Sequence, residues 1–446
     1  MTANPELTVR FLQDLIRIDT SNPPGNELPA AEYIAGVLRQ EGLEPVVLES
    51  APGRGNVVAR LRSSLSGSET KQQGALLLMS HLDVVPANPQ EWSHPPFAAK
   101  VADGCVWGRG AVDTKNLTAM QLAVLLTLKR EQTPLKRDVI FAATADEEVG
   151  GQYGMDWLVK EHPQLVDCQY ALNEGGGFGL QVGNKRLYVV QTGEKGVCWM
   201  KLTVKGTPGH GSIPREENAV AKLSTALARL AKARLPQRRT ATTERLVRAI
   251  ANAQGFPNSV LLPLVLNPWF EPLILRQMSK AGEMGGVLSA TLRNTVSPTV
   301  LRAGSKTNVI PSEATAEVDG RLMPGQKPQG LIQEIRPYIG DQVQVDVMVH
   351  SDGYESDPAS PLFDLFQQVL SEHDPASLAV PFLLPGGTDG RFLAEKGVKV
   401  YGFVPLRMEP GLNLLELAHA RNERISLANL EFGTRVLYDV IRRFCV

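Results

Sequence analysis

The sequence predicts an α/β protein with a mainly parallel sheet, into which a smaller α+β domain is inserted. Short apolar runs typical of strands that are buried on both faces occur at 75–79, 138–144 and 170–173. Helical segments such as 115–130 lie between these runs. Alternation of this kind is typical of a parallel sheet covered by helices.

The domain boundaries follow from the places where this alternation stops and resumes. An alternating, half-buried strand begins at 197, and apolar residues at helical spacing follow at 216–235. A second alternating strand, 314–322, ends before Pro324 and Gly325. We therefore predict a main domain in two parts, 1–196 and 323–446, and an inserted domain, 197–322.

The composition excludes several classes of partner. The 446 residues include 46 Lys and Arg against 47 Asp and Glu, a net charge of −1, which gives no reason to expect nucleic acid or a membrane. No run approaches the ~18 apolar residues of a membrane span. The four cysteines form no C-x-x-C pair, and the first residues show no secretory signal. These observations predict a cytoplasmic protein.

The tripeptide His81-Leu82-Asp83 directly follows the predicted strand 75–79. Side chains two residues apart in extended chain face the same way, so the imidazole and the carboxylate share one side. This arrangement suits a metal-binding His81 that is oriented by Asp83. A buried histidine that pairs with an aspartate for structural reasons is the alternative.

Three consecutive acids, Asp146 to Glu148, follow the strand 138–144. A run of charges is usually a solvated turn. In open α/β sheets, however, sites form at the carboxyl ends of the strands. One carboxylate can then bind a cation while its neighbour accepts a proton from a water molecule.

Three further residues extend this pattern. Asp113 lies between a glycine-rich turn and a helix, Glu174 follows the strand 170–173, and His419 lies near the end of the chain. Each of them alone also fits a cap or a structural role. Together with His81 and Glu148 they supply two imidazoles and three carboxylates. Nitrogen and oxygen ligands without thiolates suit zinc, with cobalt or manganese as substitutes, and five ligands suffice for two ions if one carboxylate bridges.

The motifs resemble those of the di-zinc amidohydrolase and carboxypeptidase family, which includes aminoacylase, glutamate carboxypeptidase, acetylornithine deacetylase and succinyl-diaminopimelate desuccinylase. The similar segments occur in the family's order and span most of the chain: SHLDVVP, GRGAVDTKN, ADEEVGG, NEGGG, GHGSIP, TNVIP, DGRLMPG and GGTDGRF. Within the family, GRGAVDTKN and the segment around TNVIP look most similar to the carboxypeptidase S and N-acyl-amino-acid hydrolase branch. GGTDGRF is closer to the desuccinylases.

The resemblance implies a role for each matching residue. His81, Asp113 and Glu174 would bind one zinc ion, and Asp113, Glu148 and His419 the other, so that Asp113 bridges the two ions. Glu147 would be the general base and acid, and Asp83 would orient His81. The residues implied in substrate binding are His210, Asn308, Arg321, Gly387 and Thr388. His210 would stabilise the oxyanion from a partner subunit, which implies a homodimer through the inserted lid domain.

Arg321 has a second interpretation from the sequence alone. It alternates with Asp319 and Glu317 along the strand 314–322, so all three lie on its polar face. A guanidinium can bind both oxygens of a substrate carboxylate. It can equally form a surface ion pair with one of the two acids.

Two features depart from the family's usual pattern. The late histidine is usually followed by glycine, whereas His419 is followed by Ala420. Residues 237–295 are longer than a minimal lid, and their apolar part, 256–278, includes Trp269. Such a stretch could form the wall of an acyl pocket. Because apolar residues at such spacing mostly pack inside, we expect a lid core instead.

The sequence thus predicts a metal-dependent hydrolase that cleaves the amide bond of an N-acyl amino acid or small peptide with a free carboxylate. Close alternatives are a deacylase for acetylornithine or succinyl-diaminopimelate, and a dipeptidase. A non-catalytic binding protein on the same fold would be expected to have lost Glu147 or a ligand. A nucleotide-binding protein is disfavoured because NEGGGFG fits neither glycine-rich phosphate motif.

Overall fold

A computed structural model describes residues 5–65, 69, 72–279, 284–409 and 412–446. The chain forms two compact units. The first comprises Met1–Thr192, Ser356–Phe382 and Thr388–Val446, and the second comprises Gly193–Glu355 and Leu383–Gly387. The structure extends the second unit past the predicted end at 322, because a further helix and strand join the same sheet and core.

The strands, in chain order, are β1 (Val46–Glu49), β2 (Gly55–Leu61), β3 (Leu76–His81), β4 (Lys100–Ala102), β5 (Cys105–Trp107), β6 (Val139–Thr144), β7 (Tyr170–Asn173), β8 (Phe178–Val182), β9 (Lys185–Glu194), β10 (Gly196–Lys205), β11 (Gly209–His210), β12 (Thr295–Ala303), β13 (Val309–Ile310), β14 (Glu313–Leu322), β15 (Gln344–Ser351), β16 (Tyr354–Glu355), β17 (Ser377–Leu384), β18 (Lys399–Gly402), β19 (Leu406–Arg407) and β20 (Arg424–Ser426).

The α-helices are α1 (Pro5–Arg17), α2 (Leu28–Gln40), α3 (Lys115–Glu131), α4 (Met155–Glu161), α5 (Pro163–Val166), α6 (Ala219–Leu230), α7 (Ala241–Gln254), α8 (Asn258–Leu261), α9 (Glu271–Ser279), α10 (Met284–Thr291), α11 (Pro328–Ile339), α12 (Pro361–His373), α13 (Gly390–Ala394), α14 (Leu414–Leu417) and α15 (Leu427–Cys445). Short 3-10 turns cover Pro89–Glu91, Glu147–Val149 and Leu262–Leu266.

The first unit is built on a sheet whose strand order is β1-β2-β6-β3-β7-β18-β9-β8-β19. The four central strands, β6, β3, β7 and β18, run parallel, and β1, β2 and β9 pair antiparallel with their neighbours. The predicted mainly parallel sheet is confirmed. Both faces of β3 and β6 are buried, which explains why their sequences are continuous apolar runs.

Helix α3 lies between the sheet and the outer helices α1 and α15. Its residues from Lys115 to Leu128 are all buried, as expected for a helix that is apolar around most of its circumference. The Lys115 ammonium is satisfied by the carbonyl oxygens of Leu15 and Ile18, both at 2.9 Å. Helix α3 therefore anchors the loop that precedes it, which contains Asp113.

The registers bring three strand ends to one edge of the sheet. His81, the last residue of β3, pairs with Thr144, the last residue of β6, and Leu78 of β3 pairs with Leu172 of β7. Residues that follow β6 and β7, including Glu148 and Glu174, consequently emerge near His81. This parallel arrangement is what makes residues distant in sequence neighbours in space.

The second unit contains a four-stranded antiparallel sheet of order β12-β14-β10-β15. Buried and partly exposed residues alternate along β14, so Ala316 and Val318 lie in the core with helices α6 and α11. The opposite face presents Glu317, Asp319 and Arg321, as the sequence alternation predicts. Helices α7 to α10 form a separate helical segment of this unit. No helix in the described part of the chain is long and apolar enough to cross a membrane.

Candidate metal centre

His81 is held at the end of β3 with one ring nitrogen free to bind a metal ion. Its Nδ1 lies 2.8 Å from the carbonyl oxygen of Asp83, a distance at which Nδ1 can only be the donor. In the neutral imidazole, Nε2 therefore carries the lone pair. It lies 3.2 Å from Asp113 Oδ1 and 3.6 Å from Glu174 Oε1.

Asp83 positions more than His81. Its carboxylate is 3.5 Å from His81 Nδ1, whereas its main-chain carbonyl makes the short contact. The carboxylate instead accepts the backbone N–H groups of Glu147 and Glu148, both at 3.1 Å, and the side-chain amide of Asn22 at 2.8 Å. Asp83 thus fixes the turn that presents the two glutamates.

The five predicted ligands form two groups that share Asp113. His81, Asp113 and Glu174 make one group, and Asp113, Glu148 and His419 make the other, with the ligand atoms of each within 4.8 Å of one another. In the second group, His419 Nε2 lies 3.1 Å from Asp113 Oδ2 and 3.0 Å from Glu148 Oε2. The two oxygens of Asp113 therefore face different groups.

These separations fit ligands gathered around metal ions. Donors placed tetrahedrally about 2.1 Å from an ion lie about 3.4 Å from one another. Among the ligand contacts above, the distances range from 3.0 Å for His419 and Glu148 to 3.6 Å for His81 and Glu174. The donor set of nitrogen and oxygen atoms suits zinc and related divalent ions. The residues present therefore fit two metal ions with Asp113 between them.

The electrostatics of the site also favour cations. Burial alone would lower the pKa of His81, but the charge of Glu174 and the hydrogen bond with Asp113 raise it well above the usual value. Hydrogen bonds with Asp113 and Glu148 raise the pKa of His419 to about 10. Burial raises the pKa of Glu174. Because carboxylates outnumber imidazoles here, the site attracts either protons or metal ions.

Glu147 directly precedes the predicted ligand Glu148. Burial, followed by the negative charge of Glu174, raises the pKa of its carboxyl well above the usual value. A carboxyl with a raised pKa can exchange a proton near neutral pH. The predicted neighbouring roles of Glu147 and Glu148 are thus compatible with this turn.

Glu423 and Arg109 support the site, and the sequence analysis did not identify either residue. The buried Glu423 carboxylate accepts the backbone N–H groups of Gly110, Val112 and Asp113 at 3.0, 2.7 and 3.0 Å. Arg109 donates to the same carboxylate at 2.6 Å and to the carbonyl oxygen of His419 at 3.2 Å. More than 300 residues separate the pair in sequence, so no local spacing pattern indicates it.

The predicted substrate residues do not all lie with the predicted metal ligands in the first unit. His210, Asn308 and Arg321 belong to the second unit. The exposed His210 has its Nδ1 2.7 Å from Ser212 Oγ, and Asn308 is also exposed. Arg321 pairs with Asp319 through two hydrogen bonds of 2.7 and 3.0 Å. The ion pair considered from the sequence is therefore present.

The GGTDGRF segment crosses the boundary between the units. Gly387 ends the short stretch assigned to the second unit, and Thr388 returns the chain to the first. The buried Thr388 hydroxyl accepts the side-chain amide of Asn173 at 2.9 Å. The next residue, Asp389, has an Oδ1 atom without a hydrogen-bond partner among the described residues, and burial raises the pKa of its carboxyl to about 7. The sequence analysis did not single out Asp389.

Comparison with known proteins decides the family. The sequence pattern of the peptidase family M20/M25/M40 matches residues 77–443, which is most of the chain. The chain belongs to this family. The match includes all five residues of the two ligand groups and the general-base candidate Glu147.

Two curated relatives indicate the chemistry found among similar proteins. The human N-fatty-acyl-amino acid synthase/hydrolase PM20D1 is 32% identical over 394 residues, covering 85% of this chain and 76% of its own length. Aminoacylase-1 from Sus scrofa is 27% identical over 439 residues, covering 96% of this chain and 94% of its own length. This M20 chain is a hydrolase of the metallopeptidase and amidohydrolase class.

Solved structures confirm the fold. An M20 metallo-carboxypeptidase from Sulfolobus solfataricus superposes with a TM-score of 0.71 at 16% identity, covering 98% of this chain and 99% of that chain. A dinuclear metal-binding M20 peptidase from Bacillus subtilis gives a TM-score of 0.60 at 14% identity, covering 98% and 97%. The predicted α/β fold with a mainly parallel central sheet is therefore confirmed.

Proposed function

We propose that the chain is a di-zinc hydrolase that cleaves the amide bond of an N-acyl amino acid or small peptide with a free carboxylate. The observation that carries this proposal is the pair of ligand groups that share Asp113. His81 and Glu174 complete one group, and Glu148 and His419 complete the other. The N-acyl amino acid named in a relative at 32% identity supports this substrate class.

The chain's own residues would supply proton transfer and positioning. Zinc, when bound, makes water more acidic and polarises the scissile carbonyl. Glu147 takes one proton from the attacking water molecule. It then donates that proton to the leaving nitrogen, so that a carboxylate and an amine are released. The raised pKa of Glu147 suits a group that must both accept and release a proton.

Substrate binding would use the second unit. Arg321 would exchange its contact with Asp319 for the free carboxylate of the substrate, which its planar guanidinium can bind through two hydrogen bonds. Its side chain is partly exposed and therefore accessible to such an exchange. Asn308, Gly387 and Thr388 would line the site.

His210 would stabilise the oxyanion of the reaction from a partner subunit, which requires a homodimer through the lid domain. Its exposed position, with Nδ1 engaged by Ser212, leaves Nε2 available for that role. Size-exclusion chromatography with light scattering tests the assembly. A monomer at assay concentrations argues against the role of His210 without affecting the metal centre.

The cytoplasm is the compartment that we infer for this activity. All four cysteines are free thiols, as expected for a protein that works in a reducing environment.

The test is hydrolysis of a panel that includes N-acyl amino acids with short and long acyl groups, dipeptides, N-acetylornithine and N-succinyl-diaminopimelate. Zinc, cobalt or manganese is supplied in turn. Wild type is compared with Glu147→Gln and with Glu161→Gln, a matched change on the exposed end of helix α4. Metal content is measured for each protein.

We expect Glu147→Gln to retain metal but to lose about 100-fold or more in kcat, since general acid–base groups contribute roughly that much. Glu161→Gln should hydrolyse the substrate as wild type does. Full activity of Glu147→Gln would refute its assignment as the base. A wild-type protein that binds neither zinc, cobalt nor manganese would refute the proposed reaction.

A further inference from the structure

The helical segment of the second unit exposes large apolar side chains. Trp269 is 89% exposed, Phe256 86% and Leu273 72%. The expectation that 256–278 forms a lid core is wrong for these residues. Leu266 and Leu275 are buried within the same stretch, so this part of the chain has a core of its own and still presents an apolar exterior.

One of these exposed side chains, Leu273, lines a groove. The groove has a volume of about 690 Å³ and lies entirely within residues 254–278. Its lining includes Leu261, Phe270, Leu273, Ile274 and Met278, together with a few amide side chains. Soluble proteins rarely leave contiguous apolar surface of this kind uncovered unless it binds something.

The same region carries a strong local positive charge. Residues 229–278 contain eight Lys and Arg against two Glu, a net charge of +6 in a chain whose total is −1. Arg245, Arg248 and Arg276 are exposed, and within the described ranges none has a carboxylate oxygen within 4.0 Å. On helix α9, Leu273 and Arg276 are three residues apart and so share one face.

We propose that this surface docks on an anionic lipid surface. We call it the apolar-basic surface and define it by the exposed side chains of Phe256, Val260, Leu261, Leu264, Trp269, Phe270 and Leu273 together with those of Arg245, Arg248 and Arg276. Tryptophan and leucine side chains beside arginines are the combination that inserts at the boundary between headgroups and acyl chains. Each cation near an anionic leaflet adds to the attraction. The apolar-basic surface would lie on the lipid and not span it.

The charge decides between lipid and a second copy of the chain. In a two-fold dimer through this surface, each cationic patch would face its own copy or lie beside it. Like charges across an interface are unfavourable. An anionic lipid surface supplies the missing negative charge and accepts the apolar side chains as well. The overall charge of −1 led to the expectation of no membrane partner because it averages over this local excess.

Cosedimentation with vesicles tests the proposal without reference to catalysis. The 446-residue protein is mixed with vesicles of equal parts phosphatidylcholine and phosphatidylglycerol, or of phosphatidylcholine alone. We expect binding to the anionic vesicles only, weakened by added salt. The fluorescence of Trp269 should shift to shorter wavelength on binding, and Trp269→Phe should remove most of that shift.

Two sets of variants separate the apolar contribution from the charge. Trp269→Ser with Leu273→Ser removes two exposed anchors, and Leu301→Ser, at a side chain 56% exposed on β12, is the matched control. Replacing Arg245, Arg248 and Arg276 by Gln should lower partitioning about 100-fold, at roughly fivefold per cation. Replacing the same three residues by Lys keeps the charge and should preserve binding.

Several results would overturn the proposal. One is that the protein does not bind anionic vesicles, and another is that it binds neutral vesicles as strongly as anionic ones. A third is that Leu301→Ser loses as much binding as the Trp269→Ser, Leu273→Ser variant. A lipid-free dimer that dissociates in the Trp269→Ser, Leu273→Ser variant would assign the surface to a second copy. Hydrolysis of a short, soluble acyl substrate should be unchanged in all these variants, so failure of lipid binding is distinguishable from failure of the proposed reaction.

Discussion

Replacing Glu423 by Gln should weaken metal binding although Glu423 is not a ligand. Each oxygen of its carboxylate accepts two N–H groups: Arg109 and Gly110 donate to Oε2, and Val112 and Asp113 donate to Oε1. A glutamine offers one oxygen and one NH2 group. In either orientation, two donors therefore lose their acceptor and face a further donor.

The loss of stability in this variant follows from the burial of the Glu423–Arg109 ion pair. Breaking a buried, hydrogen-bonded ion pair by removing one charge costs about 3–5 kcal/mol, compared with a total stability of roughly 5–15 kcal/mol. The protein should therefore fold at low temperature. Because Glu423 and Arg109 hold the loops of both Asp113 and His419, metal affinity should fall about 10- to 100-fold, as is typical for outer-shell partners.

The assay is competition for zinc with a chelator of known affinity, with circular dichroism as a check on folding. Glu271→Gln is the matched control, since Glu271 is 2% exposed and pairs with Arg234 and Arg293 in the second unit. It should reduce stability and leave zinc affinity unchanged. The reasoning is refuted if folded Glu423→Gln binds zinc as wild type does, or if Glu271→Gln loses zinc equally.

Three further predictions follow from the site. Gly402→Ala should displace Glu174, because an added Cβ would lie 2.1 Å from the Glu174 carbonyl oxygen. Metal titration should then show one weakened site and one intact site. Two intact sites would contradict this prediction. In metal-free protein, the hydrogen bonds with Asp113 and Glu148 raise the pKa of His419 from 6.5 to about 10. Protonated His419 therefore stabilises the folded protein fully below pH 6.5, and this stabilisation is lost as the pH rises to about 10. The difference in urea midpoint between wild type and His419→Gln should therefore narrow over that range, and a constant difference would refute the assignment. Arg321→Lys should raise KM for a carboxylate substrate about tenfold or more with little change in kcat; an unchanged KM would assign Arg321 to its pair with Asp319 alone.

The parts of the fold that the sequence predicted are those with strong local patterns. The strands that end at His81 and Thr144 are continuous apolar runs, because both of their faces are buried. The end of the inserted unit at Glu355 has no such signal. Helix α11 and strand β15 carry ordinary amphipathic patterns, and only their packing on the sheet of β10 and β14 assigns them to the second unit.

The grouping of the predicted metal ligands was foreseeable for a related reason. His81, Glu148 and Glu174 each follow a strand that the pattern identifies, and parallel order brings those strand ends together. No local sequence pattern identifies the residues that support the predicted ligands. Glu423 acts on the loop of Asp113 from 310 residues away. The exposure of Trp269 was also unpredictable, because a run of apolar residues looks the same in sequence whether it packs inside or faces outward.

Buried carboxylates hold the two loops that carry the predicted ligands Glu148 and Asp113. Asp83 accepts the adjacent N–H groups of Glu147 and Glu148, and Glu423 accepts those of Val112 and Asp113. In both cases a buried carboxylate fixes two successive peptide groups and so determines the direction of a ligand carboxylate. These two buried carboxylates add negative charge beside the four acidic side chains of the site, which are Asp113, Glu147, Glu148 and Glu174. Arg109 offsets the charge of Glu423, whereas the two imidazoles and bound cations offset that of the acids around them, so the rigidity of the loops and the affinity for metal should rise and fall together.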